Sequence, residues 1–367
     1  MVYSASSDIL LVNGFSPSVY MKRQIIYFLA AFIAFGIPCF ALKLRVFKNR
    51  KFVMSYLGIS FLMLMFLIVL KIVSHGKAAV NGAVGWINLG FINIQPVEVA
   101  KLSLVLYLAF VLSRRDGKFI PGQIWHNLFG PTVISFLMIG LVILEPDFGG
   151  SAILFMIVFV MYSVSGIPTR LAVYWLVGLL LGIVLLMAIL LFWTPGFIKD
   201  SYQFQRLLAF AHPFKLEKTG GAQLVNSYYA IHNGGLFGVG LGNSMQKRGY
   251  LPYTDFILSI TAEELGVIGA IVIITLLFFL MWRIMEVGIH ADSQFNALVC
   301  FGVVTMIFTE TLFNVGAVLG LLPITGVTLP FISYGGSSMI VLTAALGLVL
   351  NISAAEKKAL VESRSVL

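Results

Sequence analysis

The sequence predicts an all-α polytopic membrane protein, a helical bundle of nine spans with one long extracytoplasmic loop, and three observations carry that prediction. Of 367 residues, 59% are apolar and 11% charged, against roughly 25% charged in ordinary soluble chains. The mean hydropathy is +0.99, more apolar side chain than an aqueous globule has polar surface to cover. Runs long enough to cross roughly 30 Å of hydrocarbon at about 1.5 Å per residue recur along the chain. Soluble enzymes and nucleic-acid-binding proteins are the classes this composition excludes.

In order, the spans fall near 24–43, 52–73, 97–113, 129–145, 149–166, 170–193, 258–283, 294–320 and 333–353. Backbone groups in lipid need internal partners, and these runs far exceed barrel strands, so each reads as a helix. Basic residues then set the orientation. Lys43, Arg45, Lys48, Arg50 and Lys51, then Arg114, Arg115 and Lys118, then Arg170, Arg283, Lys357, Lys358 and Arg364 all fall on one side. The opposite short segments hold only Lys22, Arg23, Lys71 and Lys77. The richer side is expected to be cytoplasmic, with the C-terminus there. The formal charge of +9 is mostly this asymmetry, and no nucleic-acid partner is expected. Met1 then lies outside without a signal peptide ahead of it. Residues 1–12 read as the outer end of an earlier helix, so the expectation is a tenth span absent from this chain.

The whole chain, 1–367, reads as a single integral membrane domain in which residues 194–256 form the large extracytoplasmic loop. Its apolar content, with Phe204, Leu207, Leu208, Phe210, Leu224, Tyr228, Tyr229 and Phe237, argues for a folded cap or short interfacial helices rather than disorder. The run Gly234-Gly-Leu-Phe-Gly-Val-Gly-Leu-Gly242 matches a dinucleotide fingerprint only superficially, because no strand precedes it. Cys39 and Cys300 sit far apart in apolar stretches and read as small hydrophobes. The five His residues have no metal-ligand spacing.

Charges at bilayer depth cost about 2.5 to 3.5 kcal/mol each, so every one needs an account. Glu98 and Lys101, at i and i+3, can pair on a helix face turned to the bundle interior. On that reading, Glu98→Ala strands Lys101. Glu145-Pro-Asp147 reads as a structural turn between two spans. Asp255 reads as a surface acid at a helix N-terminus, with Glu264 about 13 Å further along the axis as a buried one. Glu310 and Asn314, at i and i+4, read as an inter-helical hydrogen-bonding face.

Gln95-Pro-Val-Glu-Val-Ala-Lys101, Glu145-Pro-Asp-Phe-Gly-Gly-Ser151, Gly234 to Asn243, Thr254-Asp-Phe-Ile257, Ala262-Glu-Glu-Leu-Gly266 and Gly326-Val-Thr-Leu-Pro-Phe-Ile-Ser-Tyr-Gly-Gly-Ser-Ser338 together resemble the SEDS family (shape, elongation, division and sporulation). The resemblance covers essentially the whole chain. Asn243-Ser-Met-Gln-Lys247 and Thr328 look more like its cell-division members than its elongation members. It implies a ten-helix bundle in the bacterial cytoplasmic membrane. It also implies a peptidoglycan glycosyltransferase that polymerises lipid II into β-1,4 glycan strands at the outer face during septal cell-wall synthesis. Family members usually carry about two more residues before the Thr-Asp pair than Pro252-Tyr-Thr-Asp255 provides.

By that resemblance Asp255 is the general base of an inverting single displacement, and substrate contacts fall on Glu98, Lys101, Ser333, Gly335 and Gly336. Negative charge on the departing diphosphate calls for cations. Lys101, Arg206, Lys247 and Arg248 are available, or a divalent ion, magnesium or manganese; no organic cofactor is expected. The resemblance also implies a class B penicillin-binding protein transpeptidase and other division proteins as partners. Two other readings stay open: a flippase moving lipid II across the membrane, and a non-catalytic scaffold of the division complex.

Overall fold

A straight 33-residue helix is about 50 Å long, some 20 Å more than a hydrocarbon core needs, and this chain holds one that solves the excess by breaking. The computed structural model describes residues 1–73 apart from Asn13 and Phe15, 85–88, 93–115, 124–168, scattered positions between 170 and 188, 202–218, 220–248 and 253–365. Its helices are α1 (Val2–Val12), α2 (Val19–Gly36), α3 (Leu44–Phe47), α4 (Arg50–Val73), α5 (Pro96–Ser113), α6 (Ile124–Leu144) and α7 (Phe148–Val164). They continue with α8 (Tyr202–Ala211), α9 (Ala222–Gly234), α10 (Ile257–Ile289), α11 (Gln294–Val318) and α12 (Gly336–Ser365). A two-residue hairpin pairs Ile87 with Ile94 and Asn88 with Asn93 just ahead of α5.

Among the described residues, α2 with its continuation, α4, α5, α6, α10, α11 and α12 are long and apolar enough to cross a membrane, and α7 is shorter. The span expected over 170–193 falls largely outside the described residues. α10 and α12 run past the expected ends at 283 and 353. Helix-compatible charges carry them on: Arg283 pairs with Glu286, and Lys358 lies 3.7 Å from Glu362, spacings that support a solvated helix.

α5 is the axle of the bundle. Pro96 occupies its first turn, where a missing N–H costs nothing, and it is buried from Pro96 to Phe110 on every face apart from half-exposed Val99. Its neighbours α4, α7 and α11 share one continuous apolar core with it. α2 lies at the edge, showing Ile25, Phe28, Leu29 and Phe32 outward while its other side packs on α12. There a π turn over Ile37–Ala41 follows α2. Asn351 of α12 donates to the Pro38 and Leu42 carbonyls, at 2.6 and 2.7 Å.

α10 breaks at Gly266, where φ is 73° and ψ 177°, a conformation open to glycine and strained for other residues. The Gly-rich run splices the gap. Val239 and Gly240 donate to the carbonyls of Glu263 and Glu264 at 2.9 and 3.0 Å, and Val267 and Ile268 donate to Gly235 and Leu236 at 2.9 and 3.3 Å. A Cβ on Gly238 or Gly266 would overlap the facing backbone. Gly234 and Gly238 of the run therefore serve backbone-to-backbone contact, and the splice satisfies groups that a broken membrane helix would leave orphaned.

Candidate active site

α11 acts as a ruler for the site. Glu310 and Asn314 stand one helical turn apart, about 6 Å along the axis. Glu310 accepts a hydrogen bond from Lys101, whose ammonium also lies 2.7 Å from Glu98 Oε2. The expected Glu98–Lys101 pair is thus a buried triad, and Lys101 is only 2% exposed. Glu98→Ala would leave Lys101 with Glu310, which corrects the expectation that it would be stranded. One turn along, Asn314 Nδ2 donates to the main-chain oxygen of Asp255 at 2.7 Å and to that of Val327 at 2.8 Å.

Asp255 is 6% exposed, so the reading of it as a surface acid is corrected. It precedes α10 rather than capping it, and its own main chain and that of Thr254 are bonded by Asn314 and Ser333. Thr254 Oγ1 donates to its Oδ1 at 2.7 Å. Burial pushes its pKa above the ordinary carboxylate value, opposed by the Thr254 hydroxyl and then by the Arg206 charge. Ser333 donates to the Thr254 carbonyl at 2.6 Å and accepts from the Leu329 amide at 2.9 Å. Tyr334 N–H donates to the Tyr253 carbonyl at 2.9 Å. Phe331, between them, is held at φ 64°, the kind of backbone strain that persists where surrounding bonds over-determine a turn.

Asp147, read from sequence as part of a structural turn, belongs to this neighbourhood. It caps α7 by accepting from Gly150 N–H at 2.7 Å. Burial raises its pKa; the Gly150 bond, Lys101 and Arg206 oppose the rise and Glu98 adds to it. The signal for it in the sequence was the pair Gly149-Gly150. A Cβ on Gly149 would press on the Val327 side chain, and one on Gly150 on that of Val97, so the turn sits directly against α5 and the 325–327 segment. Arg206 of α8 donates to the Ile324 carbonyl at 3.2 Å, and its charge reaches both Asp147 and Asp255.

A family profile described as "Cell cycle protein", covering FtsW, RodA and SpoVE, matches residues 1–358. The chain belongs to this SEDS family. It is 39% identical to the probable peptidoglycan glycosyltransferase FtsW of Lactococcus lactis subsp. lactis (strain IL1403), over 98% of this chain and 89% of the relative. It is 38% identical to the protein of the same name from Bacillus subtilis (strain 168), over 96% and 86%. Its fold matches a chain of a peptidoglycan synthase complex in which polymerization and crosslinking are structurally coordinated, with a TM-score of 0.75 at 28% identity over 97% and 96% of the two chains. It also matches the rod shape determining protein RodA of Thermus thermophilus, with a TM-score of 0.65 at 27% identity over 97% and 94%. The apolar helices are therefore the spans of a multi-pass SEDS membrane protein.

The remaining expected site residues of this SEDS chain are distributed unevenly. Lys247 is buried; its ammonium donates to the Gly242 carbonyl at 2.5 Å and lies 3.2 Å from Asp8. The side chain of Arg248 lies outside the described residues. Gly335 and Gly336 open α12, where a Cβ on Gly336 would strike the Tyr27 ring, so Gly336 serves helix packing. Ser333 spends its hydroxyl on backbone. Glu263 and Glu264 are both buried. Glu263 gathers Ser244 Oγ, the Met245 and Gln246 amides at 3.1 and 3.2 Å, and Asn233 at 3.3 Å, while Glu264 accepts from Ser4. Glu263 thus holds the turn at 244–246, and Glu264 ties α10 to α1.

Proposed function

We propose that this SEDS chain is a peptidoglycan glycosyltransferase that polymerises lipid II, with Asp255 as the general base. The observation that carries the reading is a buried carboxylate whose main-chain oxygen is held by Asn314, whose neighbour Thr254 is held by Ser333, and whose ionised form is favoured by the Thr254 hydroxyl and the Arg206 charge. The relatives bear the name of that activity.

In the proposed step the Asp255 carboxylate takes the proton of the acceptor sugar's 4-hydroxyl while that oxygen bonds to the donor's anomeric carbon. The donor's bond to its diphosphate breaks, and the electron pair leaves with the lipid diphosphate, inverting the anomeric centre. Burial raises the Asp255 pKa, which makes its carboxylate a stronger base for this transfer. Arg206, whose charge acts on both Asp147 and Asp255, is the cation assigned to meet the charge that develops on the diphosphate. Among the described residues no three His, Cys, Asp or Glu side chains converge to hold a metal ion.

The proposed setting is the bacterial cytoplasmic membrane, with the C-terminus cytoplasmic by the distribution of basic residues and the Asp255 end outward. The proposed partner is a class B penicillin-binding protein transpeptidase, supported by the structural neighbour that belongs to a complex coordinating polymerization with crosslinking. The test is glycan synthesis from purified lipid II by the wild-type chain and by Asp255→Asn, with and without the transpeptidase. Strands made by the wild type and absent from a folded Asp255→Asn variant support the reading; strands made equally by both overturn it.

A further inference from the structure

The segment that leads into Asp255 is gripped on both flanks by the same element, the N-terminal hairpin formed by α1 and α2. On one flank, Lys247 lies 3.2 Å from Asp8 of α1. On the other, Tyr253 stacks on Tyr20 of α2 with ring centroids 4.6 Å apart and an interplanar angle of 29°, and its hydroxyl donates to that of Tyr20 at 3.2 Å. A third contact, Ser4 to Glu264, reaches the outer part of α10 just beyond the segment.

The tyrosine contact is a cluster rather than a pair. Tyr334 packs edge-on against Tyr20 at 5.0 Å and against Tyr253 at 5.8 Å, with Tyr27 tilted at 5.9 Å on its other side. With Ala5 and Ile260, Tyr20, Tyr253 and Tyr334 form a small apolar cluster separate from the main core. Tyr253 is one residue from Thr254 and two from Asp255, so movement of the outer end of α2 is transmitted to the reacting carboxylate through two aromatic rings. Offset and edge-to-face ring pairs favour particular geometries and resist sliding, which suits a brace better than plain apolar contact does.

We infer that the α1–α2 hairpin is the positioning element of the catalytic segment, with Tyr20 and Asp8 as its positioning residues. This rests on the reading of Asp255 as the base. It also reassigns Lys247, expected from sequence as a substrate cation, to holding its segment against α1. Near-attack geometry is unforgiving, and a displacement of about 1 Å can cost on the order of 100-fold in rate.

The experiment uses the full chain in detergent with lipid II, reading kcat and KM together with hydrogen–deuterium exchange over residues 253–258. Tyr20→Ala is expected to raise exchange in that segment and lower kcat by at least about tenfold with KM nearly unchanged; Tyr20→Phe, which keeps the stacking, retains most of the rate. Asp8→Lys and Lys247→Asp each lower kcat, and the charge-swapped double variant recovers a large part of it. Unchanged exchange and kcat in Tyr20→Ala overturn the inference, as does a double variant no better than either single one. Asp255→Asn serves as the control for the underlying reading: if it polymerises while Tyr20→Ala still loosens 253–258, the base assignment fails and the brace stands.

Discussion

Thr254 donates its hydroxyl to Oδ1 of Asp255 at 2.7 Å, and that bond works against the burial that raises the acid's pKa. The proposed general base must be ionised to act, so on that proposal the rate should rise with pH as Asp255 loses its proton, along a limb above the usual carboxylate value of about 3.9. Thr254→Val removes a donor to the ionised form and should move that limb to higher pH. Arg206→Gln should move it the same way by removing positive charge. pH–rate profiles of kcat/KM check this; a limb that stays in place in both variants refutes the electrostatic account of the site.

The triad of Glu98, Lys101 and Glu310 predicts an ordering of stabilities. Lys101→Met leaves two buried carboxylates facing each other, and removing one partner of a buried ion pair costs about 3–5 kcal/mol. Glu98→Ala should cost much less, because Glu310 still holds the ammonium. Thermal unfolding in detergent should place Lys101→Met well below Glu98→Ala, and equal losses would show that Glu310 does not carry the pair.

The break in α10 makes Gly266 irreplaceable on two counts. Alanine there would hold an unfavourable backbone region at about 1–3 kcal/mol, and its Cβ would overlap the Leu236 carbonyl. Gly58 in α4 has nothing within 4 Å of the position a Cβ would take, so Gly58→Ala should stabilise by about 0.5–1 kcal/mol. Melting temperatures of the two variants should shift in opposite directions.

Glu145 is 1% exposed, and neither carboxyl oxygen has a hydrogen-bond partner among the described residues. Burial, then the nearby Asp147 charge, raises its pKa from 4.5 to about 8, with Lys71 opposing. The folded chain therefore keeps a proton that the unfolded chain releases above about 4.5, and stability should fall as pH rises through that window towards 8. Glu145→Gln should flatten this dependence, leaving the variant ahead of the wild type at pH 8.5 and close to it at pH 4. Parallel stability–pH curves would count against a protonated Glu145.

Much of the bundle was legible because membrane spans announce themselves by length and hydropathy, and α4, α5 and α11 begin within two residues of their expected starts. The Glu98–Lys101 pair was legible for the same reason, since i, i+3 spacing on one helix fixes a shared face. Glu310 completing the triad was not, because which helix face meets α5 depends on tertiary packing that no local pattern encodes. Asp255 was legible as a residue but misread as exposed, for the residues bonded to its segment, Ser333 and Asn314, lie more than 50 positions away. Asp147 hid inside a motif that also makes a good turn. The break at Gly266 lay inside a stretch read as one span from 258 to 283, whose hydropathy carries no trace of backbone dihedrals.

The splice between the Gly-rich run and α10 also sets an order of assembly. Val239 and Glu263 lie only about 24 positions apart, so their loop closes at small entropic cost and needs no residue of α11 or α12. The bond from Ser333 to Thr254 spans 79 positions, and the Tyr253–Tyr20 bond spans 233. The splice therefore needs only its own neighbours, whereas Asn314 and Ser333 arrive with α11 and the segment after it. A nascent chain stalled before α11 would hold the splice intact without the bonds from Asn314 and Ser333.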